Sequence, residues 1–301
     1  MPARVIAVVG PTAAGKSELA VQLARARDEV GSDIVNADSM QLYRGMDLGT
    51  AKLTEQERGG VPHHLLDVWP VTRTATAADY QSLCRGVVDD LLAVGRTPIL
   101  VGGSGLYLRA ALDELDFPGT DPELRGSLEA ELARDGAAAL HARLRALDPQ
   151  AASRMEPTNV RRVVRALEVV TMTGSMPGAL TSYDEHYPTT YLGVDRPDLA
   201  ERIAVRVDRM WELGLVEEVR RLEGEGLRAG VTASRALGYA QVLGALDGSW
   251  DEPKARELTV TATRRFARRQ RAWFRRDPRV HWLGPDRPLL DQALALLAET
   301  G

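Results

Sequence analysis

The chain has 301 residues, of which 44% are hydrophobic, 27% charged and 5% aromatic. That is material for one large domain or two smaller ones around a buried core, and an apolar fraction this ordinary excludes a disordered chain. No apolar run approaches about 18 residues, so no membrane span is expected, and the single cysteine, Cys84, excludes a disulfide framework or a cysteine-based zinc site. Met1-Pro2-Ala3-Arg4 leads straight into a strand-like run, so no signal peptide is expected and the cytoplasm is the expected compartment. A formal net charge of −4 argues against nucleic acid only if the basic residues are evenly spread, and they are not.

In chain order, Val5–Val9 reads as a buried strand, followed after a loop by a helix from Lys16 to about Arg27. Asp33–Asn36 reads as a second strand. Ala78–Ala93 has helical spacing, with Tyr80, Leu83, Val87 and Leu91 on one side, and Thr97–Val101 is a third strand closed by Gly102-Gly103-Ser104-Gly105. Strands separated by helices imply a parallel sheet covered on both faces. The pattern changes near Pro118. Asp121-Pro122 and Asp148-Pro149 are helix starts, with Asp at the cap and Pro in the first turn. Helices are expected over 122–134, 137–147, 149–155 and 159–173. Tyr191–Val194 reads as a strand again, helices resume from 197, and Val280–Leu283 is a last strand. The expected organisation is a core of 1–118 with 187–301, interrupted by a helical insertion at 119–186. No heptad pattern calls for a coiled coil, and a monomer is expected.

Gly10-Pro11-Thr12-Ala13-Ala14-Gly15-Lys16-Ser17 fits G-x-x-x-x-G-K-[ST], placed after a strand and opening a helix. Glycines let backbone amides turn towards phosphate oxygens, and the helix N-terminus adds positive potential. Lys16 brings a point charge to the terminal phosphate, and the Ser17 hydroxyl is the expected Mg²⁺ ligand. The expected fold is therefore a P-loop NTPase-like α/β core, nucleotide- or diphosphate-binding, carrying the helical insertion. A GTPase base reader is missing, since none of Lys16, Lys52 and Lys254 follows an Asn. The third strand ends in Gly102-Gly103-Ser104 instead of the metal-holding Asp usual in motor ATPases. A small-molecule kinase stays open on the loop alone.

The second strand is followed by Asp38-Ser39-Met40-Gln41-Leu42-Tyr43 and by Gly45-Met46-Asp47-Leu48-Gly49-Thr50-Ala51-Lys52. With Val61-Pro62-His63-His64-Leu65-Leu66-Asp67, Gly102 to Tyr107, Asn159 to Glu168, Ala236-Leu237-Gly238-Tyr239 and Thr263 to Trp273, the chain resembles the tRNA dimethylallyltransferase family along nearly its whole length. Ser104 stands where the family usually has Thr, Leu53 where Pro is common, Arg268 for a usual Lys, and Ala240-Gln241 for a usual Lys-Glu.

The resemblance implies transfer of a dimethylallyl group from dimethylallyl diphosphate to the exocyclic amine of the adenosine at position 37, beside the anticodon of tRNA, with Mg²⁺ as cofactor. It makes Asp38 and Lys16 the catalytic pair and the loop Gly10–Ser17 the diphosphate site. It assigns Asp38, Ser39, Met40, Gln41, Ser104, Arg125, Arg161, Arg162, Val163, Val164 and Arg165 to the anticodon stem-loop. The residues read alone agree for Asp38. A carboxylate at the end of a strand beside the phosphate loop is placed to take a proton from a nucleophile, or alternatively to order a metal's water shell. His63-His64 is adjacent in an extended loop, so the two rings point opposite ways and a structural role is expected.

Arg264, Arg268, Arg271 and Arg275 form one helical stripe, within a 261–279 stretch holding eight Arg and one Asp. That stripe is expected to face either the diphosphate or the tRNA backbone, with Phe266 and Trp273 on another face as core. Two other functions share these features. A prenyltransferase acting on free adenine nucleotides would not need the insertion, and an RNA-binding module would not need an intact Gly15-Lys16-Ser17.

Overall fold

The computed structural model describes residues 4–27, 31–177 and 182–300. Met1–Ala3, where the absence of a signal peptide is read, and residues 178–181 within the expected insertion lie outside them. In order, the elements are β1 Val5–Val9, α1 Lys16–Ala26, β2 Ser32–Asn36, α2 Glu55–Arg58, β3 His63–His64, α3 Ala77–Ala93, β4 Thr97–Gly102 and α4 Gly105–Leu112. Then come α5 Pro122–Leu147, α6 Pro149–Ser153, α7 Val160–Thr173, β5 Thr189–Val194, α8 Leu199–Glu212 and α9 Leu215–Gly224. The chain closes with α10 Tyr239–Leu246, α11 Glu252–Phe274, β6 Val280–Leu283 and α12 Leu289–Thr300.

The sheet is parallel throughout, in the order β3-β2-β4-β1-β5-β6. Its central strand β1 pairs Ile6 with Ile99 on one side and with Thr190 on the other. Both faces are buried, so period-2 alternation divides one strand between two cores. Val5, Ala7 and Val9 pack with Tyr80, Leu108 and Leu222, while Ile6 and Val8 pack with Leu19, Leu23 and Ile203. Strand carboxyl ends therefore emerge between two covered faces, where α/β sheets place their ligands.

In α3 the inward stripe is Tyr80, Cys84, Val88 and Leu91. Leu83, read above as part of that face, is 36% exposed, because the helix is turned by one residue relative to the expected phase. His63 and His64 form a short edge strand beside Ile34 and Val35. Their rings point apart: His64 Nε2 meets Asp33 Oδ2 at 2.7 Å and His63 Nδ1 meets the Val61 carbonyl at 2.8 Å.

The chain divides into two compact units, Met1–Asp113 with Glu185–Gly301, and Glu114–Asp184. The second begins five residues before the expected 119, ends two before 186, and carries its own core of Leu128, Leu140, Leu144, Leu167 and Val170. Asp121 caps α5 by accepting from Glu123 N–H and Leu124 N–H at 3.0 Å each, and Asp148 caps α6 through Ala151 N–H at 2.8 Å. Gly136, at φ 83°, separates the two expected helices within α5. In the first unit, Asp113 and Glu185 sit opposite one another as a β-bridge. Asp113 is buried and takes Arg109 Nε at 2.5 Å and Arg279 Nη1 at 2.7 Å, with the Arg279 guanidinium 4.4 Å from the centre of the Tyr191 ring.

Candidate active site

The loop after β1 is held by its neighbours as tightly as by its own sequence. Gly10 has φ 139°, and a Cβ there would lie 2.1 Å from the Val194 carbonyl oxygen, so no other residue fits. Ala13 adopts φ 64°, a left-handed conformation rare outside glycine, and Gly15 at φ 101° starts α1. Lys16 Nζ donates to the Pro11 carbonyl at 2.8 Å, folding the side chain back over the loop.

Two arginines of α8 complete this end. Arg202 Nε donates to the Ala13 carbonyl at 2.9 Å, and Arg206 Nη1 reaches Thr12 Oγ1 at 3.3 Å. Among the described residues none of Lys16, Arg202 and Arg206 is ion-paired with a carboxylate. Burial, with Arg206 adding to it, lowers the Lys16 ammonium to about 8 against a partial counter-effect from Asp38. Three cations converging without counter-ions on a half-buried loop make a site for a polyanion. Sequence reading missed both arginines. Their i, i+4 spacing puts both on one face of the first helix after β5, but nothing local says that this face meets the phosphate loop.

Asp38 stands two residues beyond β2, lining the same cleft of about 490 Å³ as Lys16 and Arg206. Asn36, also missed above, fixes its backbone: Nδ2 donates to the Asp38 carbonyl at 3.0 Å and Oδ1 accepts Asp38 N–H at 2.9 Å. One carboxylate oxygen accepts Met40 N–H at 2.9 Å. Burial raises the Asp38 carboxyl above the usual aspartate range, opposed by that amide, Lys16 and Arg206. A carboxylate with a raised proton affinity opposite an anion site is equipped to take a proton. Ser39 Oγ lies 3.5 Å from Ser104 Oγ, and Gln41 lines the cleft while donating to the Thr50 carbonyl at 3.1 Å.

The remaining motif residues hold this loop in place. Lys52, with its side chain 3% exposed, bonds Asp47 at 2.7 Å, Asp67 at 2.6 Å and the Tyr43 carbonyl at 3.1 Å. Glu218 accepts Leu48 N–H at 2.9 Å and the Tyr239 hydroxyl at 2.6 Å. Gln241, standing where the resemblance has Glu, accepts Gly238 N–H at 2.8 Å and so caps α10, a task the amide performs as a carboxylate would.

A family model described as IPP transferase matches residues 41–277. The chain belongs to the IPP transferase family. A Thermobifida fusca protein named tRNA dimethylallyltransferase is 65% identical over 98% of this chain and 94% of its own length. One from Streptomyces coelicolor with the same name is also 65% identical, over 93% and 90%. Among solved structures, the Bacillus halodurans tRNA isopentenylpyrophosphate transferase is 36% identical, with a TM-score of 0.71 over 98% of this chain and 96% of that one. A eukaryotic dimethylallyltransferase acting on tRNA, 24% identical with a TM-score of 0.80 over 99% and 79%, shares the fold.

Two expected arginine surfaces look different in this member of the IPP transferase family. Within the insertion, Glu168 is fully buried and accepts from Arg125, from Arg165 Nη1 at 2.8 Å and from Asp121 N–H at 2.9 Å. Arg165 also donates to the Pro118 and Gly119 carbonyls. Arg125 and Arg165, expected to hold tRNA, thus have a structural task first. Val163 and Val164, assigned to the same surface, are 1% and 6% exposed inside the insertion's core, since an apolar side chain on α7 gains more there. Arg161 and Arg162 remain exposed and without an ion-pair partner among the described residues.

On α11, Arg271 Nη2 donates to Asp195 at 2.7 Å and to the Arg196 carbonyl, and Arg275 reaches Asp195 at 3.4 Å. Arg264 donates to the Ala200 carbonyl. Arg271 and Arg264 are therefore committed within the core, while Arg268 stays exposed. Trp273, expected in the core, is 38% exposed, and Phe274 is buried in its place. Among the described residues no group of His, Cys, Asp and Glu gathers as a metal cage, and no helix is long and apolar enough to cross a membrane.

Proposed function

We propose that the chain transfers the dimethylallyl group of dimethylallyl diphosphate to the exocyclic amine of adenosine 37 in tRNA, giving N6-dimethylallyladenosine. The observation carrying this reading is the meeting, in one cleft, of three unpaired cations with a single carboxylate of raised proton affinity. The cations take the charge of the leaving diphosphate, and Asp38 takes the proton of the attacking amine.

The diphosphate lies on Gly10–Ser17, where Lys16, Arg202 and Arg206 take up the charge that develops as the allylic C–O bond breaks. The electron pair leaves with the diphosphate. The amine nitrogen forms the new bond to the allylic carbon, and its proton passes to Asp38. An adenine stacked in the anticodon loop cannot reach this point, so the base is extruded into the cleft. Ser39, Gln41 and Ser104 stand near Asp38 with polar groups for the extruded base.

Mg²⁺ suits the residues present. The Ser17 hydroxyl lines the cleft without a hydrogen-bond partner among the described residues, and a hard cation that keeps water and phosphate ligands needs little more from the protein. When bound, it would be held by Ser17 and would offset charge on the diphosphate. Substrate tRNA implies the cytoplasm as compartment. The test is mass spectrometry of tRNA nucleosides after incubation with dimethylallyl diphosphate and Mg²⁺, with free AMP as a second acceptor. Prenylated adenosine in tRNA and not in AMP is the expected result; prenylated AMP alone, or phosphate transfer from ATP, would refute the reading.

For the insertion, replacing Arg161 and Arg162 by Ala is expected to weaken tRNA binding and to lower the log–log salt slope by about one unit for each phosphate left without its cation. Filter binding across salt concentrations checks this, and an unchanged slope with unchanged affinity removes both arginines from the interface.

A further inference from the structure

Gln270 lies on α11, 258 positions from the phosphate loop it touches, and is 6% exposed. Its Oε1 accepts Thr12 N–H at 2.8 Å, and its Nε2 donates to the Gly103 carbonyl at 2.9 Å. An N–H needs an acceptor and a carbonyl a donor, so the two partners fix the orientation of the amide. A Cβ on Gly103 would lie 2.1 Å from Gln270 Nε2, so the turn after β4 is left bare for this approach. The next residue, Arg271, is tied to Asp195 just past β5. One turn of α11 thereby joins the loops that follow β1, β4 and β5. Thr12 is also the residue whose hydroxyl meets Arg206, and Gly103 precedes Ser104, which meets Ser39 beside Asp38.

We propose that Gln270 is a positioning residue, locking the phosphate loop to the turn after β4 so that the diphosphate cations and the acceptor side of the cleft keep one register. The proposal rests on the diphosphate reading of the cleft given above. The Thr12 amide, taken by Gln270, is then not one of the phosphate donors. Its task is to hold the loop open for the others.

Gln270→Glu tests this, because only the protonated carboxyl reproduces both bonds. Ionised, it still accepts Thr12 N–H but sets a negative oxygen against the Gly103 carbonyl. Burial and the facing Gly103 carbonyl favour the neutral carboxyl against the Thr12 N–H and the Lys16, Arg202 and Arg206 cations of the same cleft, so protonation is regained on acidification. At about pH 8 the variant's KM for dimethylallyl diphosphate is expected to exceed the wild-type value roughly tenfold, and at about pH 5.5 the ratio should approach one. Taking the ratio to wild type removes the titrations of Asp38 and Lys16, which both proteins share.

Gln270→Ala, which has no proton to regain, should show the raised KM at every pH, with kcat within about threefold. A flat ratio for Gln270→Glu overturns the proposal. So does an Ala variant whose Tm falls while KM stays at the wild-type value, and that comparison decides the matter if the Glu variant does not fold. Calorimetric titration with inorganic pyrophosphate separates the two levels. Wild-type protein that binds none defeats the diphosphate reading itself, whereas wild-type binding with equal affinity in both variants defeats only the role of Gln270.

Discussion

Asp38→Asn is expected to slow single-turnover transfer by about 10²–10⁴-fold, the usual worth of a positioned general base. The amide keeps the shape and the bond from Met40 N–H, and Asn36 still holds the backbone, so tRNA and diphosphate affinities should change little. What disappears is the proton acceptor. The pH profile gives a second reading of the same group. Transfer requires the ionised carboxylate, so the wild-type rate should rise with pH through a value above the ordinary aspartate range, the direction in which burial shifts Asp38. That limb should be absent from the residual activity of the variant. If Asp38 only orders a metal's water shell, excess Mg²⁺ should restore the rate, and full rescue would take it out of the chemistry.

Lys16→Ala should lower kcat/KM for dimethylallyl diphosphate by at least about 10²–10³-fold, comparable to removing one preorganised donor from a developing anion. Affinity for tRNA should stay within about threefold, because Lys16 lies over the phosphate loop, where the proposed reading puts the diphosphate. With its ammonium lowered to about 8, free wild-type protein should lose kcat/KM as pH rises through that value. The base form carries no charge, so the limb descends. Bound diphosphate favours the protonated form, and saturating substrate should move the limb to higher pH. Lys16→Arg keeps a cation throughout, so the limb should vanish from whatever activity it retains. Normal transfer by Lys16→Ala would defeat the cradle assignment.

The parts of this protein that were legible in its sequence are the ones written locally. A strand of five buried residues, a glycine turn and a helix opening on Lys16 occupy one short stretch, and the unbroken apolar run Val5–Val9 already implies two covered faces. The Asp-Pro helix starts were equally local. Arg202, Arg206 and Gln270 were not legible, because α8 and α11 reach the phosphate loop only through the order β4-β1-β5, which no spacing encodes. Helical phase was the other source of error. Trp273 and Phe274 differ by one position, about 100° around the helix, and the seven-residue spacing from Phe266 points to Trp273 although Phe274 is the buried one. The structural task of Arg165 was hidden for a different reason: its partner Glu168 sits three residues further on, and nothing in the sequence says that it is fully buried.

The bridge between Asp113 and Glu185 has a meaning for the history of such a chain. The two points where the sheet's own polypeptide is interrupted lie side by side and are pinned by Arg279. Closing a loop costs free energy that grows only with the logarithm of its length. Whatever is spliced between those points can lengthen, shorten or be exchanged while the strands on either side keep their register. The segment Glu114–Asp184 is thus free to change at its own rate, because the two chain ends that carry it are already held together within the first unit.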